Sequence, residues 1–251
     1  MEYIIALVYG LLLGSFLNVC IYRIPLKKSI VSPPSACPKC NYQLKWYDNI
    51  PVLSYIYLGG KCRKCKEDIS IRYPMVEMLS GFLMLMLYHY YGLSTQLIFV
   101  SFIILTLIVI TFIDIDHKLI PNEVVITLLA IGIIYEFVER PVPLLEGVIG
   151  FFAASVPLLL IAILSKGGMG GGDIKLMAVV GIFLGWKGVL IALFIGAFIG
   201  AIVGIITIIL KIKKRKDIMP FGPFLCIGIA ASTVFGENIL NFYLSFINIS
   251  Y

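Results

Sequence analysis

The sequence predicts an all-α, polytopic integral membrane protein of about eight transmembrane helices, with one small cysteine-bearing loop domain between the first two. Three observations carry this. Hydrophobic residues make up 60% of the 251 residues and charged residues only 14%, with a mean hydropathy of +1.01. Soluble domains run about 45–50% apolar and about 25% charged, so this chain cannot coat a water-soluble globule, and it is far too apolar for disorder. The apolar residues fall in runs near the ~20 residues that cross a ~30 Å hydrocarbon core at about 1.5 Å each. The charge is segregated between those runs.

In chain order the runs are 3–22, 75–92, 96–113, 123–138, 144–165, 174–186, 188–210 and 223–247. The sixth is short, and only Trp186 and Lys187 mark a turn before the seventh. Membrane sheet is excluded, because the runs are too long and lack strict alternation. The first run is too long, and has no basic segment before it, for a cleavable signal peptide. The expected organisation is a first helix over 1–22, a cytosolic loop over 23–73 and a transmembrane core over 74–251.

The formal charge of +6 has one source. Between Arg23 and Arg72 ten basic residues face three acidic ones, which gives +7; the remaining ten basic and eleven acidic residues give −1. A second basic run lies at Lys211–Lys216. Cytosolic loops carry the excess of Lys and Arg. With both termini outside, 18 of the 20 basic residues fall on the cytosolic side, leaving Arg140 and Lys187 outside.

Of six cysteines, Cys20 and Cys226 sit in apolar runs and read as small buried hydrophobes. The other four form Cys37-Pro-Lys-Cys40 and Cys62-Arg-Lys-Cys65, two CxxC knuckles with 21 residues between. Four thiolates at this spacing suit one tetrahedral zinc. Two disulfides are the alternative, and a cytosolic loop disfavours them. Four protein ligands close the metal's coordination, so the zinc is expected to be structural: it holds a loop too small to build its own core. Between and around the knuckles a small ribbon on the membrane surface is expected. A nucleic-acid-binding zinc ribbon is disfavoured by the membrane tether, so no nucleic-acid partner is expected.

Ionisable residues at membrane depth are functional candidates. Asp114 and Asp116, in Ile113-Asp114-Ile115-Asp116-His117-Lys118, close the third run; Asp173 follows the glycine-rich run Gly167-Gly168-Met169-Gly170-Gly171-Gly172 and opens the sixth. The topology puts both places on the cytosolic face. The glycines form no P-loop, since no Gly-Lys-Ser/Thr follows, and no dinucleotide fingerprint, since no strand precedes them. They can be a plain linker, and Asp173 a helix N-cap. Two carboxylates facing one water also have a chemistry: one accepts its proton while the other polarises a peptide carbonyl. Cation coordination in a transporter is the other use of such a pair; against it, both aspartates lie at one face and no inverted repeat is visible.

At these residues the chain resembles the type IV prepilin peptidases (prepilin leader peptidase/N-methyltransferases), membrane aspartyl proteases with a Gly-x-Gly-Asp motif. The resemblance runs through Gly14-Ser15-Phe16-Leu17-Asn18-Val19, Tyr22-Arg23-Ile24-Pro25, the two CxxC pairs around Asn49-Ile50-Pro51, and Tyr73-Pro74-Met75-Val76-Glu77. It continues through Asp114 with Pro121-Asn122 seven residues on, Gly170-Gly171-Gly172-Asp173, and Pro220-Phe221-Gly222-Pro223-Phe224. It implies that Asp114 and Asp173 are the catalytic pair, with Asp116 competing for the first role. It implies that the substrates are type IV prepilins or pseudopilins, cut at the cytosolic face after a short basic leader. It also implies N-methylation of the new amino terminus with S-adenosylmethionine, associated with the cysteine loop. Gly59-Gly60-Lys61-Cys62 is the candidate segment and Gly60 the candidate cofactor-binding residue; the same glycines can simply form the turn into the second knuckle. A peptidase without the transferase remains the alternative. The basic loop would repel a basic leader, so anionic lipid headgroups are its expected partner.

Overall fold

The computed structural model describes residues 1–165, 168–212 and 219–246. Lys166 and Gly167, four basic residues of the second run (Lys213, Lys214, Arg215 and Lys216) and the last residue of the eighth apolar run lie outside the described residues. The helices are α1 (Glu2–Arg23), α2 (Leu53–Tyr57), α3 (Arg72–Tyr91), α4 (Thr95–His117), α5 (Asn122–Glu139), α6 (Leu144–Leu164), α7 (Gly171–Ile209) and α8 (Gly222–Phe246), with a 3₁₀ turn at Trp46–Asn49. Among the described residues there is no strand, only two isolated antiparallel bridges. The expected ribbon is thus replaced by two bridged turns and a short helix.

Among the described residues five helices are long and apolar enough to cross a membrane: α1, α4, α6, α7 and α8. α3 carries Arg72, Glu77 and His89, and α5 carries Glu123, Glu136 and Glu139, which dilute otherwise apolar helices of 20 and 18 residues. Many large apolar side chains are exposed on these helices, among them Leu164, Phe194 and Phe242, as a lipid-facing surface requires.

The chain divides into two compact units, Met1–Ser101 and Phe102–Tyr251. In the first, α1 and α3 run antiparallel. Tyr3 pairs with His89 (3.2 Å) and Tyr88 with Glu2 at one end, and Asn18 donates to the Tyr73 carbonyl (3.0 Å) at the other.

In the second unit, α7 has 39 residues, about 58 Å of helix, nearly twice a ~30 Å hydrocarbon core. Gly185 interrupts it at φ 65°, ψ 179°, a conformation open essentially to glycine alone. The second limb pairs antiparallel with α8: Ser232 donates to the Gly188 carbonyl (2.7 Å), and a Cβ on Gly200 would stand 3.3 Å from the Phe221 ring. The first limb begins where α8 begins, because Gly172 and Gly222 both pack on Ile120. Both limbs therefore end at one face, and the chain reverses at Gly185. This resolves the sixth and seventh apolar runs as two limbs and puts the turn one residue before Trp186. Gly150 of α6 and Gly181 of α7 meet backbone to backbone, leaving no room for a side chain at either. Small residues of this kind allow close helix approach in lipid.

Candidate active site and metal centre

α4 ends through Asp114 and Asp116. Residues two apart on a helix stand about 200° apart, so the two carboxylates take opposite faces. Asp114 is 5% exposed and Asp116 is exposed. Lys118, at φ 54°, terminates the helix while its N–H bonds the Asp114 carbonyl (2.8 Å).

Asp173 enters from the start of α7. Gly170 is the N-cap in extended conformation, which makes Asp173 the third residue of the helix. It is not the N-cap itself; its carboxylate bonds the backbone of Gly170, the reach-back of an acidic residue at this position. It is 7% exposed.

The fold brings these two ends together within the second unit. Ile120 touches both Gly172 and Gly222, and Lys175 Nζ donates to Asn122 Oδ1 across the α5–α7 entrance (3.1 Å). Asp114 acts on Asp173 electrostatically. Asp114 Oδ2 also accepts the Gly222 N–H at 3.0 Å. That donor, at the first turn of α8, adds the helix N-terminal dipole to the bond. Sequence reasoning placed Pro220–Phe224 beside the last helix without giving Gly222 a role. A backbone N–H 108 residues from its acceptor leaves no side-chain signal.

In the first unit the knuckles are internal repeats. Cys37 N–H bonds the Tyr42 carbonyl and Asn41 N–H the Cys37 carbonyl; Cys62 with Glu67 and Lys66 with Cys62 repeat the pattern, all at 2.8–3.0 Å. Asn41 and Lys66 both take positive φ, 54° and 60°. Each turn aims two sulfurs inward. Cys37 and Cys65 sulfurs lie 3.8 Å apart, Cys40 and Cys62 sulfurs 3.9 Å, and all four lie within 4.8 Å of one another. A tetrahedron with metal–sulfur bonds of about 2.3 Å has edges of about 3.8 Å, so the four sulfurs fit one metal ion. All six cysteines are free.

The backbone N–H groups of Cys65 and Lys64, helped by neighbouring sulfurs, pull the Cys62 thiol down to about 6. At Cys65 the Glu67 N–H favours the thiolate, but burial and the surrounding sulfurs outweigh it and push the thiol up to about 12.

Arg63 ties the knuckles to the turn between them. Its Nε bonds Asp48 Oδ1 at 2.8 Å, and its guanidinium lies over the Tyr47 ring at 5.1 Å. Burial opposes the Asp48 charge, but Arg63, the Lys45 N–H and the Tyr42 hydroxyl outweigh it and hold the carboxyl below its ordinary 3.8. Gly59 and Gly60 take φ 61° and 69°, and Gly60 N–H bonds the Tyr55 carbonyl (2.9 Å). They form the turn from α2 into the second knuckle.

The fold and site so far define a class: a polytopic helical membrane protein with a buried acidic pair in one unit and a four-cysteine cluster able to hold a metal in the other. Comparison with known proteins narrows it. Residues 8–91 match the Bacterial Peptidase A24 N-terminal domain and residues 101–205 the Type IV leader peptidase family. The second match starts at residue 101, beside the boundary between the compact units at 101/102. The chain is 35% identical to a prepilin leader peptidase/N-methyltransferase of Legionella pneumophila, covering 97% of this chain and 95% of that one. It is 34% identical to one of Bacillus subtilis (strain 168), covering 96% and 97%, and 35% identical to one of Neisseria gonorrhoeae, covering 89% and 87%. No solved structure matches. The chain belongs to the type IV leader peptidase family, and with its apolar helices it is a cytoplasmic membrane protein.

Proposed function

We propose that this protein cleaves the leader from type IV prepilins or pseudopilins at the cytosolic membrane face and then N-methylates the new amino terminus. The observation that carries the peptidase reading is the meeting of two buried carboxylates, Asp114 and Asp173, from helix ends 59 residues apart in sequence. One carboxylate accepts a proton from a water as its oxygen attacks the scissile carbonyl. The other, protonated, donates to the carbonyl oxygen; as the C–N bond breaks, the first passes the proton it took from water to the leaving amine and the second takes its own proton back from the tetrahedral intermediate. The Gly222 N–H holds Asp114 in place, and burial keeps bulk water from competing. Asp116, exposed on the other face of α4, takes no part in this scheme.

Zinc is the metal we assign to Cys37, Cys40, Cys62 and Cys65. It stabilises the loop and performs no chemistry, because four protein ligands leave no open position. S-adenosylmethionine, when bound, supplies the methyl group. We assign its site to the loop around Gly60: a Cβ on Gly59 would meet open space, and Trp46 and Tyr57 expose aromatic faces on the same loop, a composition suited to an adenine ring. In this reading residues 23–73 serve methylation and 74–251 cleavage. The basic loop rests on anionic headgroups, and both termini lie outside. The protein in lipid nanodiscs, given a prepilin and S-adenosylmethionine, should yield mature pilin one methyl group heavier at its amino terminus. A mature product with no added methyl identifies a peptidase alone, and an uncut prepilin rejects both activities.

A further inference from the structure

The first unit contains a polar cluster that leader cleavage does not use. Asn18, near the end of α1, is 2% exposed. Its Nδ2 donates to the carbonyls of Gly14 (3.3 Å) and Tyr73 (3.0 Å), which occupies both amide hydrogens. Its Oδ1 is buried and meets no donor. A buried acceptor without a donor is destabilising and calls for an explanation.

Glu77, on α3, lies on the same seam. Ser15 and Asn18 are three residues apart on α1, and Tyr73 and Glu77 four apart on α3, so each pair shares one face of its helix. Asn18 bonds the Tyr73 backbone and Ser15 bonds the Glu77 side chain, so the unpaired amide oxygen and the carboxylate lie about one helical turn apart. Glu77 is 8% exposed, and the donors that meet it, the Ser15 hydroxyl and the Val52 N–H (2.8 Å), are neutral.

Val52 is the third observation. It holds its N–H against Glu77 Oε2 from a backbone at φ 62°, ψ −49°, a conformation strongly disfavoured for a β-branched residue. A strained segment thus presents one N–H to a buried carboxylate that has no cationic partner among these donors.

We infer that Asn18 Oδ1, the Glu77 carboxylate and Ser15 Oγ form a receptor for a primary ammonium group, the amino terminus that leader cleavage exposes. The Val52 N–H stands in for one ammonium N–H until the substrate displaces it. The inference rests on the methyltransferase reading. Three acceptors meet the three N–H groups of a primary ammonium, and its charge supplies a counter-ion that no ion pair gives Glu77 among the described residues. Displacement also lets Val52 relax to negative φ, so release of backbone strain contributes to binding. One ammonium proton passes to the Glu77 carboxylate, which frees the nitrogen lone pair for the methyl group; the methylated product has one N–H fewer, leaves one acceptor unpaired and dissociates more readily.

The test uses the full chain in nanodiscs and two peptides carrying the first residues of a mature pilin, one with a free amino terminus and one N-acetylated. Affinities come from titration calorimetry, read beside the helical circular dichroism of each variant. Wild type should bind the free-amine peptide at least about tenfold more tightly than the acetylated one, as loss of a charge-assisted hydrogen bond implies. Glu77→Gln should bring the two affinities within about twofold. Val52→Gly adopts the observed φ without strain, so it keeps the fold and should bind the free-amine peptide severalfold more weakly while leaving the acetylated one unchanged. Equal affinities in wild type, or full discrimination in folded Glu77→Gln, would overturn the inference. If Glu77→Gln does not fold, Val52→Gly decides: unchanged affinities overturn it. A wild type that discriminates between the peptides yet adds no methyl group to pilin keeps the receptor and removes the transferase reading, so the two can fail separately.

Discussion

Gly222 carries a hydrogen where any other residue carries a Cβ, and that Cβ would stand 2.7 Å from Asp114 Oδ2. Gly222→Ala should therefore push the carboxylate off its backbone donor. A displacement near 1 Å at a reacting group costs roughly a hundredfold in rate, so cleavage should fall by about that factor while the helical circular dichroism is unchanged. Wild-type cleavage in the folded variant counts against the bond. At the same scale, the choice between Asp114 and Asp116 was half legible in the sequence. The resemblance points to Asp114 through Pro121 seven residues on, and helical geometry puts the two on opposite faces, but only the fold decides which face is buried. Gly222, Asn18 Oδ1 and the Val52 turn were out of reach, because each matters through a backbone group or an unpaired atom and not through a residue type at a fixed spacing.

Helices were the legible level. Every apolar run became a helix or a limb, because about 20 apolar residues have few other solutions in lipid. The reversal inside α7 was blurred because Gly185 sits in an unbroken apolar stretch, where glycine is common and its φ cannot be read. With a Cβ there the backbone at φ 65°, ψ 179° becomes strained, and that Cβ would also meet Val142 at 2.8 Å. Gly185→Ala should lower the thermal midpoint, at about 1–3 kcal/mol for the backbone alone; an unchanged midpoint would mean that the reversal tolerates a side chain. In the loop, the repeated knuckles followed from CxxC spacing, whereas the Arg63–Asp48 clamp did not, since neither residue belongs to a ligand motif. Arg63→Ala leaves Asp48 buried without its cation, and loss of such a supporting contact typically weakens metal binding 10–100-fold. Arg63 is 36% exposed, so the lower end is expected, read as a lower chelator concentration for half-removal of metal. No shift in that midpoint would show that the clamp does not support the site.

For the whole molecule, the two compact units carry the two candidate sites separately, cysteines in Met1–Ser101 and aspartates in Phe102–Tyr251. Purified protein should contain about one zinc per chain, and Cys62→Ser should lose it together with methylation; a metal ratio unchanged by that substitution would contradict the four-cysteine site. The charge excess that first marked the loop has its counterpart here, since the +7 segment lies wholly in the first unit. The central claim is that Asp114 and Asp173 together cut the prepilin. Its most direct measurement is the cleavage rate of one prepilin by purified Asp114→Asn, Asp173→Asn and Asp116→Asn. The first two should each fall by at least about a hundredfold, the usual scale for loss of a proton-transferring group, while Asp116→Asn stays within about fivefold of wild type. Cleavage near the wild-type rate in Asp114→Asn or Asp173→Asn would contradict the account.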